Sequence, residues 1–166
     1  MQCTVADVTT TWVPIDDIGQ IKDGRLRRAY SLWAAEAVSG RMPRKDFVDG
    51  GKLGDLMGWL FLFRVERDPL RFLYLLYGPK LGRRLGLDLT LKYADEHPDP
   101  GARAGIVGVL SAVVTTGRPH LGASTRLVLN QAVTTEGMAM PLMGPDGTID
   151  HLVALQILDL PTDADA

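Results

Sequence analysis

Cysteine is nearly absent from this 166-residue chain, and Cys3 is its only thiol. One thiol excludes an internal disulfide framework and a cluster of thiolate metal ligands. An excess of one charge is missing too: 18 Lys and Arg stand against 20 Asp and Glu, a formal net charge of −2. That balance argues against the basic footprint of a nucleic-acid binder and against an acidic disordered tail. No apolar run reaches the roughly 18 residues needed to cross a bilayer, so no membrane partner is expected. The opening Met1-Gln2-Cys3-Thr4-Val5-Ala6-Asp7 lacks the basic and apolar regions of a signal peptide, which points to a cytoplasmic protein. Gly-x-Ser-x-Gly, His-Glu-x-x-His, the P-loop and the dinucleotide fingerprint are all missing, so no enzyme activity is expected. What is present is the length of one domain and 46% hydrophobic residues, enough for one core.

The distribution of those residues suggests an order of elements. Met1 to Gln20 is rich in Thr and Asp and reads as a flexible extension covering residues 1–21. Leu26, Ala29, Tyr30, Trp33 and Ala37 then fall on one helical face, predicting a helix over Lys22 to Ser39 that ends at Gly40. Trp59 to Glu66 and Arg71 to Tyr77 are apolar runs flanking Arg67-Asp68-Pro69, the pattern of a hairpin covered on both faces. Short helical turns follow between Gly78 and His97. Asp99-Pro100 is an N-cap and first-turn pair, and Ala102, Ile106, Val109, Leu110 and Val113 keep helical spacing as far as Gly117. Three strands close the chain, over about Leu121 to Leu129, Val133 to Met143 and Ile149 to Leu158, the last two joined by Gly144-Pro145-Asp146-Gly147. Two strands, a helical insert and three strands make an α+β domain over residues 22–158, with a short tail at 159–166.

Leu32-Trp33, Met42-Pro43-Arg44-Lys45-Asp46-Phe47, Phe72-Leu73-Tyr74, Leu76-Tyr77-Gly78, Gly86-Leu87-Asp88-Leu89-Thr90 and Met140-Pro141-Leu142 occur in an order that resembles the PAS family, in particular its short bacterial stand-alone members. The resemblance implies a five-stranded antiparallel sheet of order 2-1-5-4-3, a helical insert over one face, and an N-terminal flanking helix. It also implies a sensory or signalling module that binds a small molecule, a partner protein, or both. Leu75 stands where the subgroup often has arginine, and Leu91 where it often has glycine.

Candidate residues follow from that frame. Trp59, Tyr77, Tyr93 and His97 are the candidate ligand contacts, aromatic bodies with polar tips, although filling the core is the commoner reason for such residues. Haem would need an axial histidine on the long helix, and Gly101 to Thr116 holds none. Light-sensing flavin chemistry of the PAS type uses a cysteine in the insert. Cys3 lies outside it, so flavin photochemistry is set aside and the cofactor is left open. Leu26, Tyr30, Trp33 and Ala37 either pack on their own sheet or form a homodimer or partner contact, as flanking helices of the family do. A small enzyme with His97 as base and a ligand-free adaptor are the alternatives.

Overall fold

The computed structural model describes residues 9–38, 41–128 and 130–159. Six strands form one antiparallel sheet: β1 (Thr9–Pro14), β2 (Leu60–Glu66), β3 (Arg71–Tyr77), β4 (His120–Val128), β5 (Gln131–Met143) and β6 (Ile149–Gln156). Among the described residues four α-helices accompany it: α1 (Gly24–Glu36), α2 (Gly50–Leu53), α3 (Pro79–Leu85) and α4 (Pro100–Thr116). The strand order is β1-β4-β5-β6-β2-β3. Leaving out β1 and counting from β2, the order is the expected 2-1-5-4-3.

The sixth strand corrects the expected flexible extension. Thr9 to Pro14 pairs with β4 from Thr9↔Thr125 to Pro14↔His120, and Ile15 and Ile21 beyond it are buried. Threonine, read as loop composition, is β-branched and suits a pleated edge. Two glycines of α4 let this strand come close. A Cβ on Gly105 would sit 2.4 Å from Thr10 Oγ1, and one on Gly108 would sit 2.4 Å from the Trp12 ring.

The register assigns the two faces of the sheet. Glu136 of β5 accepts hydrogen bonds from the backbone N–H groups of Lys22 and Asp23, which places the start of α1 on the Glu136 side. Met138, Met140 and Leu142 lie on that side by strand alternation, and Leu60, Val153 and Leu155 join them through the ladder. All are buried. Thr10 and Ser124 share the opposite face, under α4, and hydrogen-bond through their hydroxyls at 3.0 Å. One sheet therefore separates α1 from α4.

Local signals explain where the helices stop. Asp23 caps α1 by accepting from Arg25 N–H at 2.8 Å, so the helix begins at Gly24 rather than Lys22. Asp99 caps α4 in the same way through Ala102 N–H at 2.7 Å, and Gly117 ends it with φ 69°. Gly40, the expected stop of the first helix, lies outside the described residues.

Candidate functional site

The α4 side of the sheet, called the cup below, is packed by its own side chains: Phe61 is 4% exposed, Phe63 0% and Tyr74 2%. Its β2–β3 wall is aromatic: Phe61 meets Tyr77 with ring centroids 4.7 Å apart, Phe63 meets Tyr74 at 4.4 Å, and Tyr74 meets Tyr77 at 5.3 Å. These rings share one face because Phe61 pairs with Tyr77 and Phe63 with Tyr74, two residues along, across a bulge in the ladder. Small side chains continue the floor, with Ala154 beside Phe61 and Ala139 beside Ala154. Burial pushes the Tyr77 hydroxyl up to about 12, and that of Tyr74 higher still, so both keep their protons at neutral pH.

The far side of the cup is polar. Strand alternation puts Arg126 on the same face as Ser124, toward the first turns of α4. Its Nε is fully buried and has no hydrogen-bond partner, and among the described residues Arg126 forms no ion pair. Burial lowers the tendency of this guanidinium to hold its charge, partly offset by the Asp99 carboxylate. His97 stands just ahead of α4, where its Nδ1 accepts the Asp99 backbone N–H at 3.1 Å. Burial depresses its pKa, with Arg103 and Arg126 acting in the same direction and Asp99 opposing. The ring is therefore neutral near pH 7, and Nδ1 as acceptor leaves the proton on Nε2.

Two of the four candidate contacts thus belong to the cup, Tyr77 and His97, and both lie within electrostatic reach of Arg126. The other two do not. Trp59 is buried between α1 and α3, with the Arg25 guanidinium 5.8 Å and the Lys80 ammonium 5.3 Å from its ring. Tyr93 clasps the outer edge of β3: its hydroxyl donates to Glu66 at 2.9 Å, and Arg71 stacks 3.6 Å over its ring. Arg126 was missed, although an arginine between Thr125 and the apolar Leu127-Val128 of a strand is an unusual placement.

The first helix is also settled by burial. Leu26 is fully buried, Trp33 is 8% exposed, and the Trp33 indole donates to the Pro141 carbonyl at 2.9 Å. Both residues are used within their own domain, the packing alternative of the two expected for this helix; Tyr30 and Ala37 are half-buried against the same core. A groove of about 660 Å³ runs beside the start of α1, lined by Val13, Leu121, Ala123, Lys22, Asp23 and Glu136. It is on the α1 side of the sheet, not in the cup. Among the described residues no cluster of His, Cys, Asp and Glu is arranged to hold a metal ion, and no helix is long and apolar enough to cross a membrane.

No family model and no curated protein matches the chain. Solved structures do. An RNA-binding light-oxygen-voltage receptor aligns over 91% of this chain at 14% identity with a TM-score of 0.50, and the chain spans 38% of that receptor's length. The light-oxygen-voltage domain of the blue-light photoreceptor aureochrome 1 aligns over 67% of this chain and 82% of its own, at 14% identity and TM-score 0.44. A cysteine-to-serine mutant of Vivid aligns over 60% of this chain and 80% of its own, at 10% identity and TM-score 0.41. The chain has a PAS-like α+β fold, with an antiparallel sheet extended by one strand. The expectation that set flavin photochemistry aside is corrected: the fold is shared with light-oxygen-voltage domains, a flavin-binding class. Cysteine position alone was too narrow a criterion, because it tests one photochemical step and not the binding of the group.

Proposed function

We propose that the chain is a PAS-type sensory module that takes a small molecule in the cup and passes its state through the sheet to α1, and so to a partner protein or a second copy. Strand β5 supports this reading most directly. Thr135 faces the cup side, while its neighbour Glu136 grips the backbone at the start of α1. A ligand that shifts β5 changes the anchor of α1 in the same movement, and a difference in affinity between the two arrangements of α1 biases their populations.

Flavin belongs among the input classes. A flavin nucleotide supplies light absorption and redox chemistry when bound, and here Arg126, His97 and Tyr77 would hold its polar groups against the aromatic wall. The donor chemistry fits: a buried guanidinium N–H without an acceptor suits a phosphate. A homodimer built on α1 would use Tyr30, Ala37 and the exposed residues of the helix, since Leu26 and Trp33 are spent inside. One fold neighbour is an RNA-binding receptor; the near-neutral charge of this chain favours a protein partner.

Hydrogen exchange of residues 24–36 and the oligomeric mass, each measured with and without flavin mononucleotide or another tightly bound ligand, test the reading. Exchange in α1 should change by at least about threefold, the signature of a shifted local equilibrium. If neither quantity responds to any tight ligand, the chain is not a sensor.

A further inference from the structure

The sheet has two outer edges, and the chain itself closes one of them. Along β3 the Tyr74 N–H donates to the Lys92 carbonyl at 2.9 Å, and the Leu91 N–H donates to the Tyr74 carbonyl at 2.7 Å. β1 forms the other edge. The Ile15 N–H donates to the Pro119 carbonyl across the β4 ladder, so by alternation Thr9, Thr11 and Val13 turn their backbone groups inward while Thr10 and Trp12 turn theirs outward. Among the described residues no group pairs with the outward N–H and C=O of Thr10 and Trp12. Pro14 ends the open stretch: it has no N–H, and its carbonyl accepts from Gln20 Nε2 at 3.2 Å. Sheet edges are commonly guarded by a charge or a bulge. Thr9-Thr10-Thr11-Trp12-Val13 carries no charge, and its ladder with β4 runs without a bulge. Apolar surface also collects here, where Trp12 is 37% exposed, Val13 49% and nearby Ile18 40%.

We propose that this edge is an interface with a second copy of the chain, in which two β1 strands pair antiparallel across a two-fold axis and join two sheets into one. A register centred on Thr11 sets Thr10 opposite Trp12 of the second copy in both directions, and each pair exchanges two N–H···O=C bonds. Centring on Trp12 would set Thr10 opposite Pro14, which has nothing free to exchange, and centring on Thr10 would set Trp12 opposite a residue beyond the strand. Strand alternation puts Thr11 and Val13 on the α1 side, so Thr11 meets its own copy at the axis and Val13 meets Thr9, β-branched pairs suited to cross-strand contact. An axis normal to the sheet keeps both α1 helices on one side, and the two grooves lined by Thr11, Val13, Leu121 and Ala123 open into one trough. A charged peptide finds no counter-charge along Thr9 to Val13, whereas an identical uncharged strand matches it group for group. The surface is separate from α1, and the inference makes no use of the sensory reading.

Sedimentation velocity of the full chain, from about 1 µM to about 500 µM, tests the interface. A ladder this short buries less than a standard interface, so a dimer with a Kd of about 10–100 µM is expected. Rising concentration should protect the Thr10 and Trp12 amides from exchange, while those of Thr11 and Val13, held by β4, stay as they are. Thr11→Lys and Thr11→Glu each set like charges face to face at the axis, and each should weaken association at least about fivefold with an unchanged denaturation midpoint. An equimolar mixture of the two variants should restore it. The proposal is overturned if the chain is monomeric throughout, or if either variant weakens the dimer by less than that, which would assign the contact to α1 or another face. It is equally overturned if the mixture does not restore association, or if the Thr10 and Trp12 amides are protected at every concentration, which would give the edge to another segment of the same chain.

Discussion

The two faces of the sheet are built on different terms. On the α1 side, Leu60, Leu62, Met138, Met140, Leu142, Val153 and Leu155 are apolar and between 0% and 5% exposed, and the polar groups that reach in are paired, as Trp33 is to the Pro141 carbonyl. On the α4 side, aromatic rings and alanines share the floor with Ser124, Thr135, His120 and Arg126. The first face is closed under α1 and opens only at its β1–β4 end, where the groove beside the start of the helix lies. The second retains a charged side chain whose Nε is unpaired, and a group left unsatisfied at a stability cost is the mark of a surface kept for something else.

That contrast can be broken most strongly from the closed face. Trp33→Ala should lower stability by about 3–5 kcal/mol, because it empties a buried aromatic volume and leaves the Pro141 carbonyl without its donor; chemical denaturation of the purified protein measures it. A loss under about 1 kcal/mol would mean that α1 does not close that face. A substitution on the other face should act with the opposite sign. Arg126→Met, in the absence of ligand, should raise stability by about 1 kcal/mol, since it removes a desolvated, unpaired group and keeps an unbranched side chain of similar reach. A destabilised Arg126→Met protein would show that the arginine is structural.

The smallest effect concerns pH. The folded-state pKa of His97 is depressed by burial below its unfolded value, so the unfolded chain binds the proton more readily. The contribution of the neutral ring is thus fully present above the ordinary histidine pKa, and is lost as pH falls through the depressed value. Burial is the main cause of the depression; Arg103 and Arg126 add to it and Asp99 opposes it. Thermal unfolding followed between pH 8 and pH 5 should show a decline on acidification that His97→Gln reduces, and an identical decline in that variant would assign the slope to other groups.

Much of the fold was legible because local chemistry and global architecture agreed. Asp99-Pro100 and Gly117 bounded α4, Asp146-Gly147 marked the last hairpin, and the apolar runs on either side of Pro69 are the paired strands β2 and β3. β1 escaped because an edge strand needs only half a pattern: its Thr-rich sequence resembles a loop until β4 and two glycines of α4 are brought beside it. The site was half legible for a similar reason. Tyr77 and His97 stood out by type, while Tyr93 and Trp59, of equally suitable type, are turned by Arg71, Glu66, Arg25 and Lys80 to other work. Arg126 became visible only through what it lacks, and an unmet hydrogen bond has no signature in a sequence.

The strand added at the β4 edge has a further meaning for how such a module meets other chains. A sheet edge is a row of unmet backbone donors and acceptors, the place where a foreign extended peptide adds itself by extending the ladder. In this protein the chain occupies that berth with its own Thr9 to Pro14, anchored by Thr10 and Trp12 against α4. Any peptide recruited there must compete with a tethered strand at high local concentration, so the edge of β4 is reserved unless β1 is first released.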